Sequence, residues 1–118
     1  KVIDKNHPST VMLPEIWKKE DECYFMTELN PNSNVLLAAD LRTVIDTEKE
    51  VYPGRVFGDY FPLAWWNKIK RARELYTALG HADKDYLDPL FIKHLTGSIL
   101  WVLDNNSKKP NRNKKARI

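Results

Sequence analysis

Apolar and polar residues along the chain fall into short blocks that predict several strands. Residues 35–40 form a continuous apolar stretch of strand length, which is typical of a strand buried on both faces. Residues 60–66 and 74–79 are aromatic and apolar and predict two further strands. Pro62 favours the start of a strand or the edge of a sheet for the first of them. Residues 22–26 are a fourth strand candidate.

The clearest helix signal begins at Asp88. Asp88 is a good N-cap residue, and Pro89 suits the first helical position because no backbone N–H is needed there. One helical face then carries Phe91, His94, Leu95, Ser98, Ile99 and Val102. One helix cannot cover both faces of a buried parallel sheet. The pattern therefore predicts the C-terminal half of a larger α/β domain, completed by its N-terminal half or by another copy of the chain.

The composition is that of a globular protein. Of the 118 residues, 42% are hydrophobic and 30% are charged, which excludes wholesale disorder. No apolar run is long enough to span a bilayer, so no membrane span is predicted. The single cysteine, Cys23, excludes an internal disulfide and a zinc site built from several cysteines. These features fit a soluble protein and leave a periplasmic and a cytoplasmic location open.

Charge is distributed unevenly between the body of the chain and its C-terminal tail. Six of the nineteen basic residues lie in the last eleven positions, and no acidic residue follows Asp104. Residues 1–104 form the predicted domain, and residues 105–118 form a basic tail that is expected to be poorly ordered. The acidic body carries no strong nucleic-acid signal, so only the tail could contact a polyanion. Within the domain, the polar residues 46–59 are expected to form a long loop of the kind that often lines a site.

Four segments in a fixed order resemble the trehalose-utilisation (ThuA-like) family. The family shows a His-Pro segment, then Asp-Glu-x-Tyr, a Pro-x-x-Trp strand, a Gly-Gly-Arg-x-x-Tyr-Thr-x-Leu-Gly-His hairpin and a closing helix that ends near Trp. The matching segments here are Asn6-His7-Pro8-Ser9-Thr10, Asp21-Glu22-Cys23-Tyr24, residues 60–66 and residues 73–81, followed by residues 88–101. Because the order and spacing hold over residues 6–103, the set is far more specific than any one motif.

The resemblance implies a flavodoxin-like α/β fold related to class I glutamine amidotransferases. This chain would carry the C-terminal part of the sheet and the closing helix. The chain departs from the family pattern at Arg71-Ala72, where the family usually has Gly-Gly. Because glycine supplies the positive φ of tight turns, we expect a wider or differently shaped hairpin there. A hairpin of different shape would also change the position of Arg73, the residue that follows it.

Three residues are candidates for acid–base catalysis: His81, Glu22 and His7. His81 follows Gly80 at the end of a predicted strand, and in open α/β sheets ligands bind beyond the carboxyl ends of the strands. The resemblance places His7 and Glu22 around the same crevice. A carboxylate beside an imidazole suits proton transfer or could bind a divalent metal. The alternatives are that the two histidines only anchor their loops and that Glu22 lies on a solvated strand edge.

Four residues are candidates for substrate binding: Tyr24, Trp65, Arg73 and Tyr76. Tyr24 shares one face of the predicted strand 22–26 with Glu22, so the tyrosine could also orient the carboxylate. Flat rings such as those of Trp65 and Tyr76 stack on sugars, although aromatic strands more often pack in a core.

Two other reactive side chains are assigned to the core. His94 lies on the apolar face of the helix and is expected to be a core histidine. Cys23 should point away from Glu22 and Tyr24, and is expected to be a buried thiol and not a nucleophile. The sequence contains no Ser/His/Asp order, phosphate-binding loop or dinucleotide fingerprint.

Three functions remain open at the level of sequence. The first, implied by the resemblance, is the use of a small-molecule carbohydrate, with hydrolysis or isomerisation of a disaccharide or an oxidised sugar. A divalent metal could take part, although no cofactor is strongly implied. The second is a non-catalytic module on the same fold that binds carbohydrate or protein. The third is polyanion binding by the basic tail.

Overall fold

The computed structural model describes residues 1–45 and 58–104 and shows an α/β arrangement of one sheet and one long helix. The sheet has the order β1-β2-β3. Its elements in chain order are β1 (Asn34–Asp40), β2 (Tyr60–Ile69), β3 (Ala72–Thr77), a 3₁₀ turn (Asp83–Leu87) and α1 (Pro89–Leu103). The loop predicted at 46–59 lies mostly outside the described residues, and so does the tail 105–118.

All pairings between the three strands are antiparallel, which corrects the expectation of a buried parallel sheet. Periodicity alone reports how deeply a strand is buried and not the direction of its neighbour. Antiparallel strands can be joined by tight hairpins, so they need no helix between them. Three strands and one helix are therefore a consistent set within the described residues.

The turn between β2 and β3 is tight. Ile69 pairs with Ala72, so only Lys70 and Arg71 connect the strands, and the wider hairpin expected there is wrong. Lys70 takes the left-handed conformation that glycine usually supplies, with φ of 55°. The hairpin keeps its register without the glycine pair, and Arg73 stays in the ladder opposite Lys68.

Residues 22–26 do not form a strand, which corrects a second expectation. Their alternating pattern is real, but no described strand pairs with them. The segment instead crosses one face of the sheet, where Phe25 packs edge-on against Phe61 of β2 at 4.8 Å between ring centroids. Glu22 and Tyr24 contact His81, which follows β3, and these contacts hold the segment in place.

Helix α1 starts where the sequence predicts. The Asp88 side chain accepts a hydrogen bond from the backbone N–H of Leu90 at 2.9 Å, which confirms the predicted cap. The buried positions of α1 are Phe91, His94 and Ser98. Ile99 and Val102 were expected on this face, but they are exposed.

The two faces of the sheet are covered differently. Trp66 of β2 and Arg73 of β3 both contact Trp101 of α1, so these residues face the helix. Because side chains alternate along a strand, Trp65 and Tyr76 lie on the opposite face. That second face is the one that residues 19–30 cross. In the described part of the chain, no helix has the length and apolar character needed to cross a membrane.

Candidate functional site

The site begins with a carboxylate that joins two distant parts of the chain. Asp21 accepts hydrogen bonds from the backbone N–H groups of Gly80 at 2.9 Å and His81 at 3.2 Å. Gly80 has a φ of +97°, and a Cβ there would lie 2.6 Å from the ring of Phe91. Glycine is therefore needed for both the backbone turn and the space. Together these constraints fix the backbone at His81.

His81 and Glu22 form the central pair. The Nδ1 atom of His81 lies 2.7 Å from a carboxylate oxygen of Glu22. The side chains are 54% and 49% exposed, so solvent or a ligand can reach them. With Nδ1 directed at the carboxylate, Nε2 is the ring nitrogen that remains for proton exchange with a ligand.

Tyr24 completes a three-residue group with this pair. Its hydroxyl forms a hydrogen bond with the Glu22 carboxylate and lies 3.5 Å from Nδ1 of His81. The negative charge of Glu22 raises the pKa of Tyr24 above its usual value, with burial adding to the shift. The phenol therefore stays protonated at neutral pH, and it orients the carboxylate as a donor.

A buried ionic network of Lys19, Asp21 and Asp85 supports the group formed by His81, Glu22 and Tyr24. Lys19 forms an ion pair with Asp85 and lies 3.5 Å from Asp21, and the three side chains are between 3% and 10% exposed. Asp85 also accepts the backbone N–H of Ala82 at 2.9 Å. The hydrogen bond from Lys19 lowers the pKa of Asp85. This network ties residues 19–21 to the segment that carries His81.

The aromatic candidates Trp65 and Tyr76 lie beside this group. They pair across β2 and β3, and their rings stack at 4.3 Å between centroids with an interplanar angle of 22°. Tyr76 is close enough to Tyr24 to contribute to the raised pKa of that residue. A row of aromatic side chains therefore runs from Trp65 to the acid–base pair.

His7 is in a different environment. Its ring is buried beside Trp66 and Trp101, with ring centroids 6.3 and 4.5 Å away. Nδ1 receives the hydroxyl and backbone N–H of Ser9 at 2.8 and 3.1 Å, so Nε2 carries the hydrogen and has no hydrogen-bond partner among the described residues. Burial lowers the pKa of His7. None of its contacts is shared with His81, and its predicted catalytic role stays a prediction.

Arg73 also lies away from His81. It donates a hydrogen bond to the carbonyl of Trp101 at 2.8 Å, and its guanidinium lies over the indole ring at 4.8 Å. A cation at the C-terminal end of a helix is stabilised by the helix dipole. The substrate-binding role predicted for Arg73 stays a prediction, because these contacts give it a structural task at the end of α1.

The expectation that His94 is a core histidine is confirmed. His94 is fully buried, with Nδ1 3.0 Å from the carbonyl of Ser9 and Nε2 3.1 Å from the hydroxyl of Thr77. Burial lowers its pKa. Cys23 is half-buried and not part of the core, which corrects the expectation of a buried thiol. Partial burial still raises the pKa of Cys23 to about 11, so the thiol is protonated at neutral pH and is a poor nucleophile.

No group of three or more His, Cys, Asp or Glu side chains that could hold a metal ion occurs within residues 1–45 and 58–104. The family model described as ThuA, trehalose utilisation, matches residues 1–102. The chain belongs to the ThuA family. This confirms the resemblance found in the sequence and associates the chain broadly with carbohydrate utilisation. Comparisons with curated proteins and with solved structures found no match.

In this ThuA-family chain, sequence reasoning missed the support beneath the candidate site. The ion pair of Lys19 and Asp85 joins positions 66 residues apart, and no local motif marks it. In the sequence Asp21 stands only as the first residue of the Asp-Glu-x-Tyr motif, yet its carboxylate fixes the backbone of His81. The available signal was the Asp-Glu-x-Tyr motif, in which a second carboxylate beside the candidate Glu22 suggests a separate role for Asp21.

Proposed function

We propose that the protein performs acid–base catalysis on a small carbohydrate, with His81 as the proton-transferring group and Glu22 and Tyr24 as its partners. The observation that carries the proposal is the 2.7 Å contact between Nδ1 of His81 and Glu22, in a group that is half exposed to solvent. Membership of the ThuA family supplies the substrate class, carbohydrate.

The proposed reaction step uses both nitrogens of the imidazole. Glu22 accepts the Nδ1–H of His81, which fixes the tautomer and leaves the lone pair on Nε2. Nε2 removes a proton from a carbon next to the carbonyl of an oxidised sugar, and the electron pair moves into an enediolate. The hydroxyl proton on the carbon that lost its hydrogen then passes through solvent to the oxygen of the original carbonyl. Nε2 returns its proton to the original carbonyl carbon, which gives the isomerised sugar. Glu22 stabilises the imidazolium that exists between the two steps.

The arrangement favours this isomerase-type step over glycoside hydrolysis by two carboxylates. Hydrolysis of that kind needs a second carboxylate that reaches the substrate. Asp21 is the nearest one in sequence, but it is 8% exposed and is occupied by two backbone N–H groups and Lys19. Within the described residues it is therefore a structural carboxylate. Hydrolase activity on a disaccharide is the alternative reaction in the same proposal.

The test compares the full chain with His81→Gln, which keeps a polar side chain of similar length. Aldoses, ketoses and disaccharides in D₂O are followed by NMR for deuterium uptake beside the carbonyl and for release of monosaccharide. We expect His81→Gln to lower turnover by at least about 100-fold, since acid–base groups contribute roughly 10²–10⁴. The matched control is Glu20→Gln, whose ion pair with Lys84 is exposed. Unchanged turnover in the folded His81 variant would reject the role. Saturable sugar binding without turnover would favour the non-catalytic module.

We also propose that the sheet is the antiparallel part of a larger flavodoxin-like sheet, as in class I glutamine amidotransferases. Antiparallel strands commonly border an otherwise parallel sheet. No described strand pairs with the outer edge of β3, and α1 exposes Ile99, Leu100 and Leu103 to solvent. These features suit packing against an N-terminal half of the domain or another copy of the chain. Sedimentation over a concentration series tests the second of these, because a chain that stays monomeric throughout would contradict it.

A further inference from the structure

An open cleft lies next to the candidate site on the same face of the sheet. It has a volume of about 640 Å³ and is lined by residues 27–31 and Ser33 of one loop and by Val35, Pro62 and Trp65. Ligand clefts in proteins typically have volumes of about 300–1,000 Å³. The lining combines one large aromatic ring, that of Trp65, with polar side chains. The proposed proton transfer at His81 does not involve this cleft.

Trp65 connects this cleft to the acid–base group. One side of its indole stacks on Tyr76, which neighbours Tyr24, and Tyr24 contacts both Glu22 and His81. The indole also forms part of the cleft wall. A ligand with one unit at His81 could therefore continue along the aromatic row and place a second unit against Trp65.

The chemistry of the cleft wall suits a sugar ring. The apolar C–H face of a pyranose packs on an indole, and its hydroxyl groups need hydrogen-bond partners at the rim. Thr27, Glu28 and Asn30 offer a hydroxyl, a carboxylate and an amide there. Asn30 uses its side-chain oxygen to accept the backbone N–H of Asn32 at 3.0 Å, so its NH₂ group is the part that can donate to a ligand. The wall thus carries both donors and acceptors.

We propose that the cleft at Trp65 is a second sugar subsite, which takes the outer residue of a disaccharide or longer glycoside while the inner residue occupies the His81 group. This inference rests on the proposed function for the identity of the inner site. The family description already names a disaccharide, trehalose, so the new element is the place of the outer sugar unit. This placement gives Trp65 a part in specificity and not in proton transfer.

The test is titration calorimetry of the full chain with glucose, maltose and trehalose as probes. The variants are Trp65→Ala and Glu28→Ala, and the control is Asn32→Ala, in the same loop but not in the cleft wall. We expect at least one disaccharide to bind about tenfold more tightly than glucose, the gain that one good aromatic contact supplies. Trp65→Ala should abolish that gain and leave the glucose affinity unchanged. Glu28→Ala should reduce the gain, and Asn32→Ala should keep it.

Several results would overturn the subsite. The first is equal affinity for glucose and both disaccharides. The second is no binding of any of the three sugars at 10 mM, about the weakest affinity of interest from the arithmetic of binding free energy. The third is a disaccharide preference that survives in both Trp65→Ala and Glu28→Ala. Because Glu28 is exposed, its variant keeps the test valid even where Trp65→Ala fails to fold. The catalytic proposal fails separately: a Trp65-dependent preference with full turnover in His81→Gln would reject the base and keep the subsite.

Discussion

Replacing Asp21 with Asn tests whether the buried carboxylate holds the site together. The substitution keeps the shape of the side chain but removes its charge and one of its two acceptor oxygens. In the native protein these oxygens accept the N–H groups of Gly80 and His81 at 2.9 and 3.2 Å, and one of them lies 3.5 Å from Lys19. The asparagine can satisfy only one of the two N–H groups, and its NH₂ group faces the other.

The expected cost follows from these contacts. A hydrogen bond to a charged group contributes about 1.5–3 kcal/mol. The bond from Gly80 is partly buried and the bond from His81 is exposed, so water can replace part of what is lost, and one charge-assisted bond is the main contribution. Lys19 keeps its ion pair with Asp85, so the loss of its second partner adds little. We therefore expect Asp21→Asn to lower the free energy of unfolding by about 2–3 kcal/mol, out of the roughly 5–15 kcal/mol typical of a domain. The Tm should fall by about 10 °C or more.

Urea denaturation followed by circular dichroism measures this loss, and NMR hydrogen exchange reports directly on the amides of Gly80 and His81. The control is Glu20→Gln, which removes the adjacent carboxylate from an exposed ion pair with Lys84 at 3.1 Å. Exposed pairs of this kind contribute about 0–1 kcal/mol. Equal stability of the two variants, with unchanged exchange at both amides, would refute the argument that Asp21 fixes the backbone of His81.

Two further predictions concern the packing of α1 and the buried histidines. Gly97→Ala should lower the free energy of unfolding by about 1–3 kcal/mol in urea titrations, because a Cβ there would overlap the carbonyl of Pro8, whereas exposed Thr96→Ala should be close to neutral. Burial lowers the pKa values of His7 and His94, so below pH 6.5 the unfolded chain binds protons that the folded chain excludes. Stability should therefore fall from pH 7 to pH 5, by up to about 1.4 kcal/mol per pH unit for each histidine, and less steeply in His94→Gln; a flat profile would contradict this.

Local signals in the sequence were sufficient for the helix and for the approximate positions of β1, β2 and β3. Asp88 and Pro89 mark the start of α1 through contacts within one turn, and such contacts depend little on the rest of the fold. The direction of strand pairing could not be obtained this way, because a buried apolar run looks the same in parallel and antiparallel sheets. The predicted strand 22–26 was wrong because forming a strand needs a partner edge, which no local pattern reveals.

The candidate site was predictable in part, for a similar reason. The grouping of His81 with Glu22 and Tyr24 follows from family motifs, although the stated geometric reason, the carboxyl edge of a parallel sheet, does not hold in an antiparallel one. His81 lies four residues after β3 ends, and Asp21 fixes its backbone. The separate environment of His7 depends on the packing of α1 against the N-terminal segment, which periodicity does not report.

The hydrogen bonds that Asp21 accepts join positions 59 and 60 residues apart, and this separation has a consequence for the order of folding. The β2–β3 hairpin closes through two residues, and hairpins form in about 1–10 μs. Closing a loop of some sixty residues costs more entropy, by about 0.6 kcal/mol for each doubling of length. A partly folded chain that holds only the hairpin and α1 would therefore carry His81 without Glu22 or Tyr24 beside it. The proposed activity would emerge only once this long-range closure has formed, so its recovery during refolding would report the time of that closure.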